Sequence, residues 1–168
     1  MPSFDPESGG TGARVLVLPQ DPSEVAAHGS RLISRHDDDL TAFHTHRTST
    51  DVGLPYAATV HWNVVPWWVA DPAVPAVERL GLTAAAHRAR PHLGALLDLL
   101  PQARVVVLLG RHAQRAWDAV GLRPGDREVL RAPHPSPQAI HQTDRSTGRR
   151  NGDLLRAVLA DAAARVGG

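Results

Sequence analysis

Residues 104–110 of the chain read Arg104-Val105-Val106-Val107-Leu108-Leu109-Gly110, and this stretch decides the fold. An unbroken apolar run rich in valine is typical of a strand that is buried on both faces of a parallel sheet. Gly110 ends the run, and apolar residues then recur at helical spacing between Ala113 and Val120. A strand that passes through a glycine into a helix is the connection from which parallel sheets are built.

The rest of the chain alternates strands and helices in the same manner. Further strands are predicted at 14–18, 58–62 and 128–131, and helices are predicted from Leu40 to before Gly53, over 82–100 with Pro91 kinking or dividing it, and over 153–166. We therefore expect an α/β fold, a three-layer αβα sandwich around a four-stranded parallel sheet. Residues 1–13, which contain Gly9-Gly10-Thr11-Gly12, indicate a flexible N-terminal lead, and residues 14–168 form a single domain.

Composition excludes several classes of protein. The chain has 168 residues, no cysteine and a formal net charge of +1, so disulfides, thiolate zinc sites and iron–sulfur clusters are excluded. No apolar run is long enough to span a bilayer, and the first residues lack the basic and apolar regions of a signal peptide. We expect a soluble, cytoplasmic monomer that does not bind membranes.

All 18 basic residues are arginine. Arginine binds phosphate through two parallel hydrogen bonds and stacks on bases, so this bias permits nucleic-acid binding. Codon preference in a GC-rich genome explains the same bias equally simply, and the near-zero net charge argues against a protein that coats polyanions in general.

Three polar sites follow three different predicted strands. Gln20 and Asp21 follow the first strand, Asn63 follows the second and His134 follows the fourth. Ligands bind at the carboxyl ends of parallel strands, so these side chains are expected to converge. A carboxylate that orients water, a carboxamide that reads a base edge and a histidine that stabilises a departing base anion match the cleavage of a base from its sugar. Taken singly, Asp-Pro is an ordinary turn signal and Asn63 an ordinary loop residue.

The histidine lies in the segment Pro133-His134-Pro135-Ser136-Pro137. Three prolines at alternate positions fix φ and forbid a helix, so this loop is stiff before a ligand binds. A histidine held in this way can donate a ring N–H to a developing negative charge. Without its neighbours, the same segment is equally compatible with a surface turn.

At these residues the chain resembles the uracil-DNA glycosylase superfamily. The motifs that carry the resemblance occur in the family's order between residues 14 and 160: Val15 to Pro22 with Ala27-His28-Gly29, Thr59 to Pro66, Val106 to Gln114, and His134-Pro135-Ser136-Pro137. The resemblance implies that Asp21 activates water, that Asn63 recognises the base and that His134 stabilises the departing base at O2. It also implies base contacts for Gln20 and Ser23, and DNA contacts for Gly110, Arg111, Pro135, Ser136, Pro137 and Gln138.

Some positions depart from the family pattern. Ser23 replaces the tyrosine that excludes the methyl group of thymine, and Gln138 replaces the leucine that wedges into the base stack. The aromatic residue that stacks on the base is expected at Leu32 or Ile33, unless Phe43 or Trp67 supplies the ring.

The leading hypothesis is a monofunctional DNA glycosylase that flips a deaminated base, with uracil first, and starts base excision repair. Alternatives are an enzyme for hypoxanthine or xanthine, and a DNA-binding protein of the same fold with little catalysis.

We expect no metal and no cofactor. His44 and His46 lie on different helix faces, and Asp37-Asp38-Asp39 are explained by the favourable interaction of acidic residues with the start of a helix.

Overall fold

A computed structural model describes residues 2–29, 31–34 and 40–167. The strands are β1 (Ser3–Phe4), β2 (Val15–Leu18), β3 (Leu32–Ile33), β4 (Thr59–His61), β5 (Val105–Leu109) and β6 (Glu128–Ala132). The α-helices are α1 (Leu40–Asp51), α2 (Leu82–Leu99), α3 (Gly110–Val120), α4 (Pro137–Ile140) and α5 (Asn151–Val166). A π-helical turn covers Val25–Gly29, and short 3₁₀ turns occur at Gly10–Gly12, Tyr56–Ala58 and Ala76–Glu78.

The main sheet is parallel and has the strand order β4-β2-β5-β6. In register, Val15 lies opposite Thr59 on one side and Val105 on the other, and Val105 lies opposite Glu128. All four carboxyl ends therefore meet at one edge of the sheet, and all the loops that follow the strands begin there.

Both faces of the sheet are covered, which explains the unbroken apolar runs of β2 and β5. Successive side chains of a strand point to opposite faces, and Leu16, Leu18, Val106 and Leu108 accordingly pack with α2 and α3. On the other face Val15, Val17, Val105, Val107 and Leu109 pack with α5. Helix α1 contacts α5 and so belongs to the same layer. The three-layer αβα sandwich and its four-stranded parallel sheet are confirmed.

Helix α2 continues through Pro91, which was predicted to kink or divide it. Pro91 is exposed. On that side of the helix, water can satisfy the carbonyl group that proline leaves without a donor. No helix among the described residues is long and apolar enough to cross a membrane.

The N-terminal residues contact the domain more closely than a flexible lead over residues 1–13 would. Strand β1 pairs in parallel with β3. Asp5 is only 5% exposed, and it accepts hydrogen bonds from the hydroxyl groups of Ser34 and Tyr56. The glycine-rich composition of residues 9–12 concealed this buried carboxylate and the short strand before it.

Candidate active site

The loops after β2 and β4 are joined by backbone hydrogen bonds that extend the sheet beyond the strands. The N–H groups of Trp62, Val64 and Val65 donate to the carbonyl groups of Val17, Pro19 and Gln20 at 3.0, 3.0 and 2.8 Å. These bonds hold Asn63 beside the loop that carries Asp21. The segment that follows β6 brings His134 to the same edge of the sheet.

Asp21, Asn63 and His134 line a single cleft of about 440 Å³. This volume lies within the usual range for small-molecule sites, about 300–1,000 Å³. A smaller recess of about 150 Å³ lies between Asp21 and His134, and Gly110 and His112 also line it. A carboxylate, a carboxamide and an imidazole therefore line one open cleft.

The carboxyl group of Asp21 is held by the loop after β4. Its Oδ2 accepts a hydrogen bond from the backbone N–H of Val69 at 2.8 Å. Burial raises the pKa of Asp21 above its usual value of 3.8, and the Val69 N–H, the nearby His112 and the Gln20 side chain oppose the rise only in part. The carboxylate is therefore oriented and more basic than an exposed one.

The side chain of Asn63 is 2% exposed. Its Nδ2 has no hydrogen-bond partner among the described residues. An unpaired buried donor costs about 1–3 kcal/mol, so such groups in folded proteins call for an explanation. A ligand that presents a carbonyl oxygen inside the cleft would satisfy this N–H group.

His134 is fixed by its own loop. Its Nδ1 accepts a hydrogen bond from the backbone N–H of Ser136 at 3.1 Å, so the neutral ring carries its proton on Nε2. The Nε2 amide group of Gln114 donates to the Ala132 carbonyl at 3.0 Å and anchors the strand end before the loop.

Gly110 packs directly against this histidine. It has φ of +87°, and a Cβ atom built on it would lie 2.9 Å from Cβ and 3.0 Å from Cδ2 of His134. Only glycine suits this position, for two reasons: the backbone conformation is left-handed, and His134 leaves no room for a Cβ atom.

Comparison with protein-family models supplies the remaining observation. The model of the uracil DNA glycosylase superfamily matches residues 6–163 of the 168-residue chain. The chain belongs to the uracil DNA glycosylase superfamily. Membership confirms the resemblance seen in the sequence motifs, indicates a function of the DNA-glycosylase type in DNA repair, and implies a DNA substrate. A search of the curated proteins found no match.

The structure brings most of the predicted residues of this superfamily site together. Ser23 and Ile33 line the cleft with Asp21, Asn63 and His134. Gln20 and Arg111 line the smaller recess. Of the predicted DNA-contacting residues, Pro135 is buried, Ser136 and Pro137 are half-buried, and Gln138 is exposed at the start of α4.

Of the four residues considered for stacking on the base, only Ile33 lines the cleft. Ile33 lines the cleft, whereas the neighbouring Leu32 is outside the described lining, because adjacent strand residues point to opposite faces. Phe43 is 50% exposed on α1 and also lies outside that lining. Trp67 lines a different cavity, with Arg88 and His92.

Several further residues, not predicted from the sequence, also line the cleft. His61 belongs to β4, Trp68 belongs to the loop after β4, and Thr41 and Thr45 belong to α1. The tryptophan pair at 67–68 was a visible signal, but of these two rings only Trp67 was considered for stacking on the base. The contribution of α1 had no local signal, because it depends on how that helix lies across the sheet.

The cavity lined by Trp67 is slightly larger than the cleft, at about 490 Å³. It is lined by residues of the segment 67–80 and of α2, together with Pro2, Ala27 and His28. Asp21, Asn63 and His134 are not part of this lining. Among the described residues, no group of three or more His, Asp or Glu side chains is placed to hold a metal ion. Asp37, Asp38 and Asp39 lie outside the described residues.

Proposed function

We propose that this protein removes uracil from DNA by hydrolysing the N-glycosidic bond. The proposal rests on one observation: Asp21, Asn63 and His134, which follow three different strands, line the same cleft. In this mechanism a deaminated nucleotide is flipped out of the stack into the cleft, where its base and sugar reach all three side chains.

Asp21 would act on the water and the sugar. Breaking an N-glycosidic bond leaves positive charge on the sugar ring, which a carboxylate stabilises while it accepts a proton from the attacking water. The Val69 N–H donates to Oδ2 of Asp21 and fixes the carboxylate that would orient the water. The raised pKa makes the ionised carboxylate a stronger base.

Asn63 and His134 would act on the base. Uracil presents a carbonyl oxygen beside a ring N–H, and the Nδ2 of Asn63, which has no partner in the described part of the chain, suits that oxygen. The departing base is an anion, and a neutral His134 with its proton on Nε2 would donate to the carbonyl oxygen where that charge collects.

The chain contains no lysine, the residue that forms Schiff bases with carbonyl substrates. This composition favours simple hydrolysis, which leaves an intact abasic strand. Hence the enzyme is proposed to be monofunctional.

Hypoxanthine or xanthine is the second candidate substrate. Both bases present a carbonyl oxygen beside a ring N–H, as uracil does. The Oγ of Ser23 accepts the Ala26 N–H at 3.3 Å and caps the turn after it. This short side chain leaves open the space that a tyrosine would fill, which would admit a larger base.

We assign the stacking role to Trp68. This half-buried residue is the only Trp, Tyr or Phe among the described residues that line the cleft, and its ring lies 5.7 Å from that of His28 in an edge-on contact.

Trp68→Ala is expected to weaken binding of a uracil-containing oligonucleotide by about 1–3 kcal/mol, roughly 5–150-fold. Trp67→Ala removes the neighbouring ring from the other cavity and is the matched control. Equal losses in both variants would remove the assignment.

The proposed function is tested by base release from labelled oligonucleotides that contain uracil, hypoxanthine or xanthine, as single strands and as duplexes. Wild type is expected to release uracil fastest, and Asp21→Asn and His134→Ala should each lower the rate by about 10²–10⁴-fold. Cleavage of the strand should require subsequent alkali.

The matched controls are Asp126→Asn and His87→Ala, which change exposed residues outside the cleft and should retain the wild-type rate. Faster release of a purine would establish the second candidate. Wild-type protein that binds DNA but releases no base from any substrate would instead support a binding protein.

A further inference from the structure

The segment between α4 and α5 forms a compact hairpin that the proposed chemistry does not use. We call Gln142–Asn151 the arginine hairpin. Thr143 and Arg150 form an antiparallel bridge. The N–H groups of Asp144, Gly148 and Asn151 donate to the carbonyl groups of Arg149, Asp144 and Gln142 at 2.9, 2.8 and 2.9 Å.

The tip of the arginine hairpin is organised by one carboxylate. Oδ1 of Asp144 accepts hydrogen bonds from the backbone N–H groups of Ser146 and Thr147, both at 3.0 Å, and from both hydroxyl groups. These bonds, with the Ser146 side chain first, hold the pKa of Asp144 below its usual value. Gly148 supplies the left-handed conformation that closes the turn, with φ of +69°. The turn is therefore held in shape before any ligand binds.

Three arginines project from this ordered turn. Arg145, Arg149 and Arg150 are all exposed. None of them forms an ion pair with an acid among the described residues. Three exposed arginines elsewhere do form such pairs: Arg131 with Asp118, Arg156 with Asp51, and Arg165 with Glu128 and Asp161. Arg104, Arg111 and Arg123 are exposed and, among the described residues, form no such pair. With three arginines and the single carboxylate of Asp144, the arginine hairpin has a formal charge of +2.

A polar groove connects the arginine hairpin to the cleft. The groove has a volume of about 470 Å³. The hairpin side of the groove is lined by Gln142, Asp144, Ser146 and Thr147, and the start of α3 contributes Arg111 and His112. The three hairpin arginines lie outside this lining. His134 lines both this groove and the cleft. A strand whose nucleotide enters the cleft would thus have its backbone beside the groove.

We propose that the arginine hairpin and Arg111 hold the phosphodiester backbone of the DNA strand on one side of the excised nucleotide. The inference rests on the proposed function for the position of that nucleotide. Guanidinium groups bind phosphate through two hydrogen bonds, and a stiff turn loses little conformational entropy when they do so. The contacts are independent of sequence, because phosphates carry no sequence information.

The test measures binding to a short fluorescent DNA without uracil, as duplex and as single strand, over about 0.05–0.2 M salt. Each phosphate contact that is lost reduces the slope of log K against log salt by about 0.9 for duplex and about 0.7 for single strands. The double variant R149A/R150A is therefore expected to reduce the slope by about 1.8 on duplex or about 1.4 on a single strand.

The control R104A/R123A removes the same charge from exposed positions at the opposite end of the sheet. It should leave the slope unchanged. Equal reductions in the two double variants would show an effect of net charge only and would overturn the proposal.

A second pair of variants tests the shape of the turn separately from its charge. Asp144→Ala and Asp144→Asn both remove one negative charge, but only asparagine keeps a side-chain oxygen that can accept the bonds of the turn. Asp144→Ala is expected to bind DNA more weakly than Asp144→Asn. Equal affinities would contradict a preordered hairpin.

The outcomes separate this inference from the proposed function. A reduced slope in R149A/R150A, together with a wild-type protein that releases no base, would support the hairpin contact and reject the glycosylase activity. Base release by wild type, together with an unchanged slope in R149A/R150A, would support the glycosylase activity and reject the hairpin contact.

Discussion

The carboxyl group of Asp21 is partly buried, yet the proposed chemistry needs it ionised. Burial raises its pKa above 3.8, so the folded protein holds the proton more tightly than the unfolded chain does. The stability that this group contributes is present below pH 3.8 and is lost as pH rises through the folded pKa. At neutral pH the ionised Asp21 therefore destabilises the fold.

Asp21→Asn is accordingly expected to raise the free energy of unfolding at neutral pH while it removes activity. The advantage over wild type should shrink as the pH falls through the raised pKa of Asp21, which urea unfolding at several pH values would measure. The rate of base release by wild type should fall over the same range. A variant less stable than wild type at neutral pH would contradict this account.

Gly110 gives a second test at the scale of a single residue. Gly110→Ala places a methyl group against His134 in a backbone conformation that L-residues avoid, so we expect a loss of at least about 1–2 kcal/mol of stability and a reduced rate of base release. Gly53→Ala is the matched control, since Gly53 has φ of +70° with nothing within 4 Å of the added Cβ. That variant should lose stability and keep the rate. If both variants keep the wild-type rate, the contact with His134 does not position the ring.

At the scale of elements, strands β1 and β3 attach the N-terminal residues to the domain through Asp5. This carboxylate accepts hydrogen bonds from Ser34, Tyr56 and the backbone N–H of Glu7. Ile33 of β3 and Ser34, which follows the strand, both line the cleft. The N-terminal segment therefore supports one wall of the site.

Asp5→Ala is expected to lower the free energy of unfolding by about 2–3 kcal/mol, or the midpoint of thermal unfolding by roughly 5–10 °C. Ser3→Ala, at an exposed position of the same segment, should change stability by less than about 0.5 kcal/mol. Thermal unfolding followed by circular dichroism measures both variants. A flexible lead over residues 1–13 would leave both variants at the wild-type midpoint.

Helix α1 and the loop after β4 are the elements that complete the site. The first turns of α1 form one wall of the cleft, and the loop after β4 supplies both Trp68 and the N–H of Val69 that holds Asp21. The His28 ring lies 3.1 Å from the Asp71 carboxylate and ties the turn after β2 to this loop. Helix α1, the loop after β4 and the turn after β2 thus all contribute to the surroundings of Asp21.

In the protein as a whole, the parallel sheet determines where the candidate site lies. Two apolar cores cover its faces and leave only its edges accessible. The carboxyl ends of all the strands meet at one of those edges, where the cleft, the smaller recess and the groove beside the arginine hairpin adjoin through His134. Residues such as Arg104 and Arg123 lie at the other end of the sheet.

The four strands of the main sheet, their parallel arrangement and the positions of Asp21, Asn63 and His134 were predictable from the sequence. These features depend on local patterns. An apolar run such as Val105–Leu109 indicates burial on both faces of the sheet, and Gly110 indicates that a helix starts directly after the strand. A polar residue directly after such a run has to lie at the carboxyl end of the sheet.

The remaining parts of the site were decided only by the tertiary structure. Trp68 in the cleft, the Val69 N–H on Asp21, the burial of Asp5 and the groove between Arg111 and the arginine hairpin all join residues that are distant along the chain. No local period records such contacts, because they follow from how helices and loops pack across the sheet. The sequence alone thus predicted the sheet and the polar residues at its edge, while tertiary packing brought in the side chains that surround them, because those contacts join distant parts of the chain.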